Sequence, residues 1–379
     1  MSDMASRKCN GSLGVPSVER EAWSAGRDVR LDAMRGLMLI LMAIAHIPNP
    51  LRQFTYQSIG FVSEAEGFVF LSGYVAGIIY RRLALKAGQT ALWRSGAVRA
   101  GRIYLYHLGM FAGLLGAIVT GILRSDIFQS WVPLFYQNPV LALILGSTLV
   151  YQPRLLDILP MYCIFILISP LIIKLFLQGR FLVVLIVSAA VWVAAQFGLR
   201  AAVAEVVFGS LPIDFGDFDI LAWQLLFVWG LFFGFRRCIN RPHDRFRSVM
   251  LILAHVTVLG LFALRHSLGL SNVHSDIWQV AEKIRLGPLR LLNFAAVALV
   301  MSQKFMWPIG SLWVRALSYL GRNSLQVFSF SVVCVYLTRG LVGSWEVIGE
   351  GVKVFTVVLS LMALYIPAWL HENRARFKP

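Results

Sequence analysis

The chain is short of charge, of acid and of cysteine, and each shortage excludes something. Charged residues make up 14% of its 379 positions, where a soluble domain carries roughly one quarter. With 58% hydrophobic residues and a mean hydropathy of +0.70, the sequence is that of a polytopic membrane protein rather than a large globular one. Its four cysteines (Cys9, Cys163, Cys238, Cys334) fall in the tail, in apolar segments or at the expected cytoplasmic rim. No pair of them suits an external disulfide, and no ligand-like spacing marks a metal site. The first 27 residues lack an apolar h-region and carry Arg7, Lys8, Arg20 and Arg27, so they read as a polar cytoplasmic tail without a cleavable signal peptide. A Gly-rich phosphate loop, a stretch of soluble-domain size and an internal repeat are all missing, and the lack of repeats weakens an inverted-repeat transporter reading.

What is present is a series of apolar windows of spanning length. They predict an all-α bundle of about ten transmembrane helices over 31–50, 61–80, 101–122, 155–175, 181–198, 219–235, 248–265, 287–303, 323–340 and 353–370. Residues 1–30 and 371–379 are then cytoplasmic tails around one membrane domain, 31–370. The shorter apolar stretch from Pro139 to Val150 reads as interfacial or re-entrant. Nineteen acidic residues against 35 Lys and Arg leave a net charge of +16, which by itself would suit nucleic acid. Its distribution says otherwise, because most of the cations fall in the tails and the even-numbered connections. That is the positive-inside pattern, with both termini cytoplasmic and the bilayer as the partner.

Within the first span, Arg35 and His46 stand eleven residues apart. On a helix this is about three turns and roughly 16 Å, so the two side chains share a face across about half the hydrocarbon thickness. Ionisable groups at that depth are expensive and usually functional. His46 precedes Ile-Pro-Asn-Pro, which ends the helix near the outer surface, and neutral imidazole is suited to draw a proton from a hydroxyl. Glu66, in the first turns of the second span at comparable depth, is a candidate to orient His46 and stabilise its imidazolium. Glu64 reads as helix N-terminal charge favoured by the dipole. Gly73 and Gly77 share Glu66's face, as a strip for close packing or for a narrow channel.

Arg81, Arg82, Lys86, Arg94, Arg99 and Arg102 form the densest basic cluster. Arg99 and Arg102, with Arg35, are candidates to hold the phosphates of a nucleotide-bearing donor, with topology as the other explanation for their charge. Asn323 or Ser324, in Leu320-Gly-Arg-Asn-Ser-Leu, is a candidate helix cap whose amides either take an anion or are simply capped. Asp32, Ser72, Asp157 and Arg290 complete the candidates. Asp157 is either a rim residue or part of the polar site; Arg290 either meets an acidic substrate group or pairs with Glu282 and nearby aspartates. His107 and His255 read as hydrogen-bonded histidines inside spans. The outer Trp131, Tyr136, Tyr151, Trp223 and Trp278 read mainly as an interfacial belt.

Several motifs carry a resemblance. Leu31-Asp32 followed by Arg35-x10-His46, Phe68-Val-Phe-Leu-Ser-Gly-Tyr and Arg99-Ala-Gly-Arg-Ile-Tyr-Leu-Tyr resemble the first three signatures of the membrane acyltransferase-3 superfamily. Tyr74 stands where the broader signature has Phe. Arg30-Leu-Asp, Ala65-Glu-Gly-Phe-Val-Phe-Leu-Ser-Gly-Tyr and Gly321-Arg-Asn-Ser-Leu-Gln-Val-Phe look more narrowly like the OpgC family, over essentially all ten spans. The resemblance implies an O-acyltransferase of the bacterial inner membrane. Its donor would be a cytoplasmic acyl-CoA, succinyl-CoA for this family, and its acceptor a periplasmic glucan. By the same analogy His46 is catalytic, Arg35 is the donor-side arginine, and acyl-CoA is a substrate, with no resident cofactor. The competing reading from the residues is a proton-coupled transporter using Arg35, His46 and Glu66.

Overall fold

Proline and aspartate set the limits of the first helix, α1 (Val29–His46). Asp28 caps its start, its Oδ1 accepting the Arg30 amide at 3.1 Å. Ile47 is extended, with ψ of 130°, as the residue two before Asn49 and one before Pro48 must be. The computed structural model describes residues 28–123, 128–209, 213–237, 244–267, 274–304, 311–341 and 348–376. The tail through Arg27, Cys9 within it, and Cys238 lie outside these described residues.

After a short turn, α2 (Arg52–Thr55), comes α3 (Glu64–Val119), which covers two expected spans as one interrupted helix. The interruption is Gly88, whose φ of 80° and ψ of −178° no helix accommodates. Phe68 before the break and Ile103 after it line the same cavity. In a straight helix those residues would stand roughly 50 Å apart, so the chain doubles back at Gly88.

The remaining helices are α4 (Pro133–Gln137), α5 (Pro139–Ser147), α6 (Ile158–Leu177), α7 (Phe181–Gln196), α8 (Leu199–Phe208), α9 (Ile220–Arg236), α10 (Asp244–Ser267), α11 (His274–Val280), α12 (Pro288–Lys304), α13 (Leu312–Arg322), α14 (Ser324–Leu341), α15 (Glu350–Ala363) and α16 (Tyr365–Arg376). Helices thus occupy every expected span, and the described residues contain no strand beyond one isolated bridge, Ile59 with Val62. By length and apolarity, four helical segments among them can each cross a membrane, or five if α7 and α8, bent by 70°, form one span. The helix over the first expected span, α1, buries Asp32 and Arg35, and the helix over the eighth, α12, is apolar but shorter than a full crossing and buries Arg290 and Asn293.

Two glycine contacts hold the bundle close. On α3, Gly73 and Gly77 face the backbone carbonyls of Phe227 and Leu231, while Gly230 and Gly234 of α9 face those of Phe70 and Tyr74; no Cβ fits at any of the four. The small-residue strip is therefore helix packing. On α1, Gly36 meets the carbonyl of Leu317, and Gly321 meets that of Asp32. This seats α13, an amphipathic helix absent from the sequence reading, directly on the Arg35 end of α1. The Pro139 stretch forms α5, whose carbonyls at Ser147 and Gly146 accept from Tyr104 Oη at 2.9 Å and His107 Nε2 at 3.0 Å.

Candidate functional site

Arg35 is buried, and its Nη2 donates to Ser324 Oγ at 2.6 Å, while its guanidinium lies 5.7 Å from the Phe68 ring centre. Around it opens a cavity of about 890 Å³, toward the upper end of the roughly 300–1,000 Å³ usual for ligand sites. Both arms of α3 contribute cations to its wall, Arg81 and Arg82 from the first and Arg99 and Arg102 from the second. Asp32, Ser72 and Ser324 line it too. Four residues expected at a donor site (Arg35, Arg99, Arg102 and Ser324) and two expected as site support (Asp32 and Ser72) thus line one chamber.

Asn323 is not among them. Its Nδ2 donates to Tyr319 O at 3.0 Å and Glu372 Oε1 at 3.2 Å, and its Oδ1 accepts from His371 Nδ1 at 2.8 Å. The side chain ties the C-terminal end of α13 to α16 and does not line the chamber. Among the wall residues left to topology or not singled out in the sequence are the cations Arg82, Arg237 and Arg322. Arg237 pairs with Asp28 at 2.6 Å and Arg322 with Glu372 at 3.8 Å. Nothing in a linear sequence foretells those partners.

At the other end of α1, His46 is half-buried and its Nδ1 contacts the Met42 carbonyl at 2.7 Å. A carbonyl only accepts, so Nδ1 carries the hydrogen of the neutral ring and Nε2 keeps its lone pair. Arg339 Nη2 donates to the His46 carbonyl at 3.2 Å. Beside the ring lies a narrow cavity of about 40 Å³, lined also by Glu64, Asp157, Asp217, Lys283 and Ser331. That is room for a few water molecules, at roughly 10–15 Å³ each.

Glu66 does not line this cavity. Its Oε1 accepts from Arg290 Nη1 at 2.7 Å, and its Oε2 accepts from the Ser63 amide at 2.9 Å and the Ser63 hydroxyl at 2.6 Å. The reason is angular: two residues on a helix turn the side chain by about 200°. Glu64 therefore faces α1 and α6, and Glu66 faces α12. Depth in the sequence favours Glu66, but azimuth places Glu64 and not Glu66 beside the His46 cavity. Arg290 takes the pairing alternative, with Glu66 as partner instead of Glu282, and its Nε donates to Ala281 O at 3.1 Å.

Asp157 belongs to the polar site, buried at the His46 cavity with its Oδ2 accepting the Asp217 amide at 2.8 Å. The loop carrying Asp217 is pinned in turn, Asp214 Oδ1 accepting from the Gly216 amide at 2.9 Å. Burial pushes the Asp214 carboxyl above its usual range. Lys283 lines the cavity beside these acids, and its ammonium lies 5.1 Å from the Phe218 ring centre. Its carbonyl accepts from Trp223 Nε1 at 3.1 Å. Trp223 and Tyr151, read as interfacial aromatics, are fully buried core residues.

The family model described as OpgC protein matches residues 27–376, nearly the whole chain. No curated protein and no solved structure matches it.

Proposed function

The chain belongs to the OpgC family, and from that premise we propose that this transferase carries an acyl group, succinyl from succinyl-CoA, across the bacterial inner membrane to hydroxyls of periplasmic glucans. One observation carries the reading: a single helix, α1, lends Arg35 to a large arginine-walled chamber and His46, with Nε2 free to accept a proton, to a small polar one. In this reading the Arg35 end is cytoplasmic. Arg35, Arg99 and Arg102 hold the phosphates of CoA, and Ser324 orients Arg35.

The acceptor reaches His46 from the opposite side. Nε2 takes the proton of the attacking hydroxyl as its oxygen bonds to the thioester carbonyl carbon. The C–S bond then breaks, and the imidazolium returns the proton to the departing thiolate, leaving an ester and free CoA. Glu64 takes the part expected of Glu66, offsetting the imidazolium charge from within the same cavity. Asp157 offers its carboxylate to acceptor hydroxyls. Transfer is direct in this scheme, and neither Cys163 nor Cys334 lines either cavity. A proton-coupled path through Arg35, His46 and Glu66 is the weaker reading, because Glu66 turns to Arg290.

The test is reconstitution. Protein in liposomes receives isotope-labelled succinyl-CoA on the Arg35 side and glucan on the other, and the glucan is weighed by mass spectrometry. A succinyl mass shift that requires His46 is expected. A protein that neither binds CoA nor changes the glucan's mass would overturn the proposal.

A further inference from the structure

Four helices pass both chambers, and each changes chamber within about two turns. On α1, Arg35 lines the large chamber and Met42, Ala43 and His46 the small one, with fully buried Leu39 between. On α3, Phe68 and Ser72 line the large chamber, Glu64 and Ala65 the small one. At the start of α6, Tyr162 lines the large chamber, Asp157, at the N-cap position, lines the small one, and Ile158 lines both. On α14, Ser324 faces the large chamber, Ser331 and Val335 the small one, and Phe328 faces both. The wall between the chambers is therefore one side chain thick and apolar where Ile158 and Phe328 stand.

We infer that Phe328, backed by Ile158, is the gate between the two chambers, and that the side chain at 328 sets which acyl groups cross to His46. The inference rests on the acyl-transfer reading. An apolar constriction of this kind excludes water and ions while it is shut. A phenylalanine ring swings between staggered χ1 wells, whereas Ile158, in the first turn of α6, is branched at Cβ and stiff. The ring is thus the moving part and the isoleucine its stop. A carboxylate-tipped acyl chain that passes the ring enters a chamber whose lining includes Lys283.

Two measurements on the full chain test this. The first is independent of catalysis. In a background with its native cysteines replaced by serine, Ser331→Cys reports the small chamber to a small charged methanethiosulfonate applied from the Arg35 side. With Phe328 in place labelling should be slow; Phe328→Ala, or the milder Phe328→Leu if alanine destabilises the bundle, should speed it on the order of tenfold, equivalent to about 1.4 kcal/mol of barrier. The second measures transfer. Phe328→Trp should bind CoA as the wild type does yet lose transfer, and Phe328→Leu should raise the use of acyl groups bulkier than succinyl. Equal labelling rates in wild type and the smaller variants, or wild-type transfer by Phe328→Trp, would overturn the gate. Absence of CoA binding and transfer in the wild type would overturn the transfer reading instead, and the labelling result would still decide the gate.

Discussion

Arg290 holds Glu66 at 2.7 Å although 224 residues separate them, and both side chains are almost wholly buried. Removing one partner strands the other's charge in the bundle. Glu66→Ala and Arg290→Ala should each lower stability by about 3–5 kcal/mol, since the orphaned ion lacks compensation. The double variant should lose less than the sum, which thermal unfolding in detergent reads as a double-mutant cycle. Additive losses would mean that the pair is not coupled.

His46 and Glu64 should behave in the opposite way. His46→Ala is expected to reduce transfer by about 10²–10⁴-fold, the usual contribution of a positioned base, with folding and CoA affinity retained. Glu64→Gln should lower the maximal rate while leaving the unfolding temperature near wild type. If Glu66→Gln impaired turnover at unchanged stability and Glu64→Gln did nothing, the carboxylate assignment would revert to Glu66.

On the arginine-walled side, Arg35→Ala and Arg99→Ala should weaken donor binding. Hydrogen bonds to charged groups are worth about 1.5–3 kcal/mol, or roughly 10- to 150-fold in Kd. Titration of CoA into purified protein at fixed salt measures this. Ser324→Ala should show a smaller loss, because Arg35 keeps its charge and forfeits only one orienting bond. Unchanged affinity in both arginine variants would leave their charges to topology alone.

The joint between α1 and α13 offers a mechanical test. A methyl group at Gly36 or Gly321 has no space against the opposing carbonyl, so Gly36→Ala should cost about 1–3 kcal/mol, as overpacking does. It should also weaken CoA binding, because it displaces the turn that carries Arg35. A variant as stable as wild type with full CoA affinity would show that the helices part freely there.

How far the sequence discloses this architecture depends on the kind of signal. Apolar windows locate helices over every expected span, because hydrophobic length is a local property. The grouping of Arg35, Arg99, Arg102 and Ser324, all four of which line one chamber, was legible from charge and from family motifs. Glu66 was not, since the choice between it and Glu64 depends on which neighbour each face meets. The helix Leu312–Arg322 was missed because it is amphipathic and, at 11 residues, too short to read as a span. Lys283 gave only the weak signal of a cation on the side poor in cations, and its pedestal on Trp223 is purely tertiary.

The first helix also works as a ruler. Arg35 and His46 are fixed on one rigid rod at a separation of roughly 16 Å, and the glycine joint at Gly36 keeps one end of that rod from sliding. In the proposed reaction, a donor anchored by its phosphates at the arginine end must deliver its thioester over that distance without letting go. Reach therefore becomes a criterion of selection separate from charge or shape. Thioesters of short, truncated thiols would be refused however well their acyl groups fit, and a carrier with a long flexible arm would be accepted.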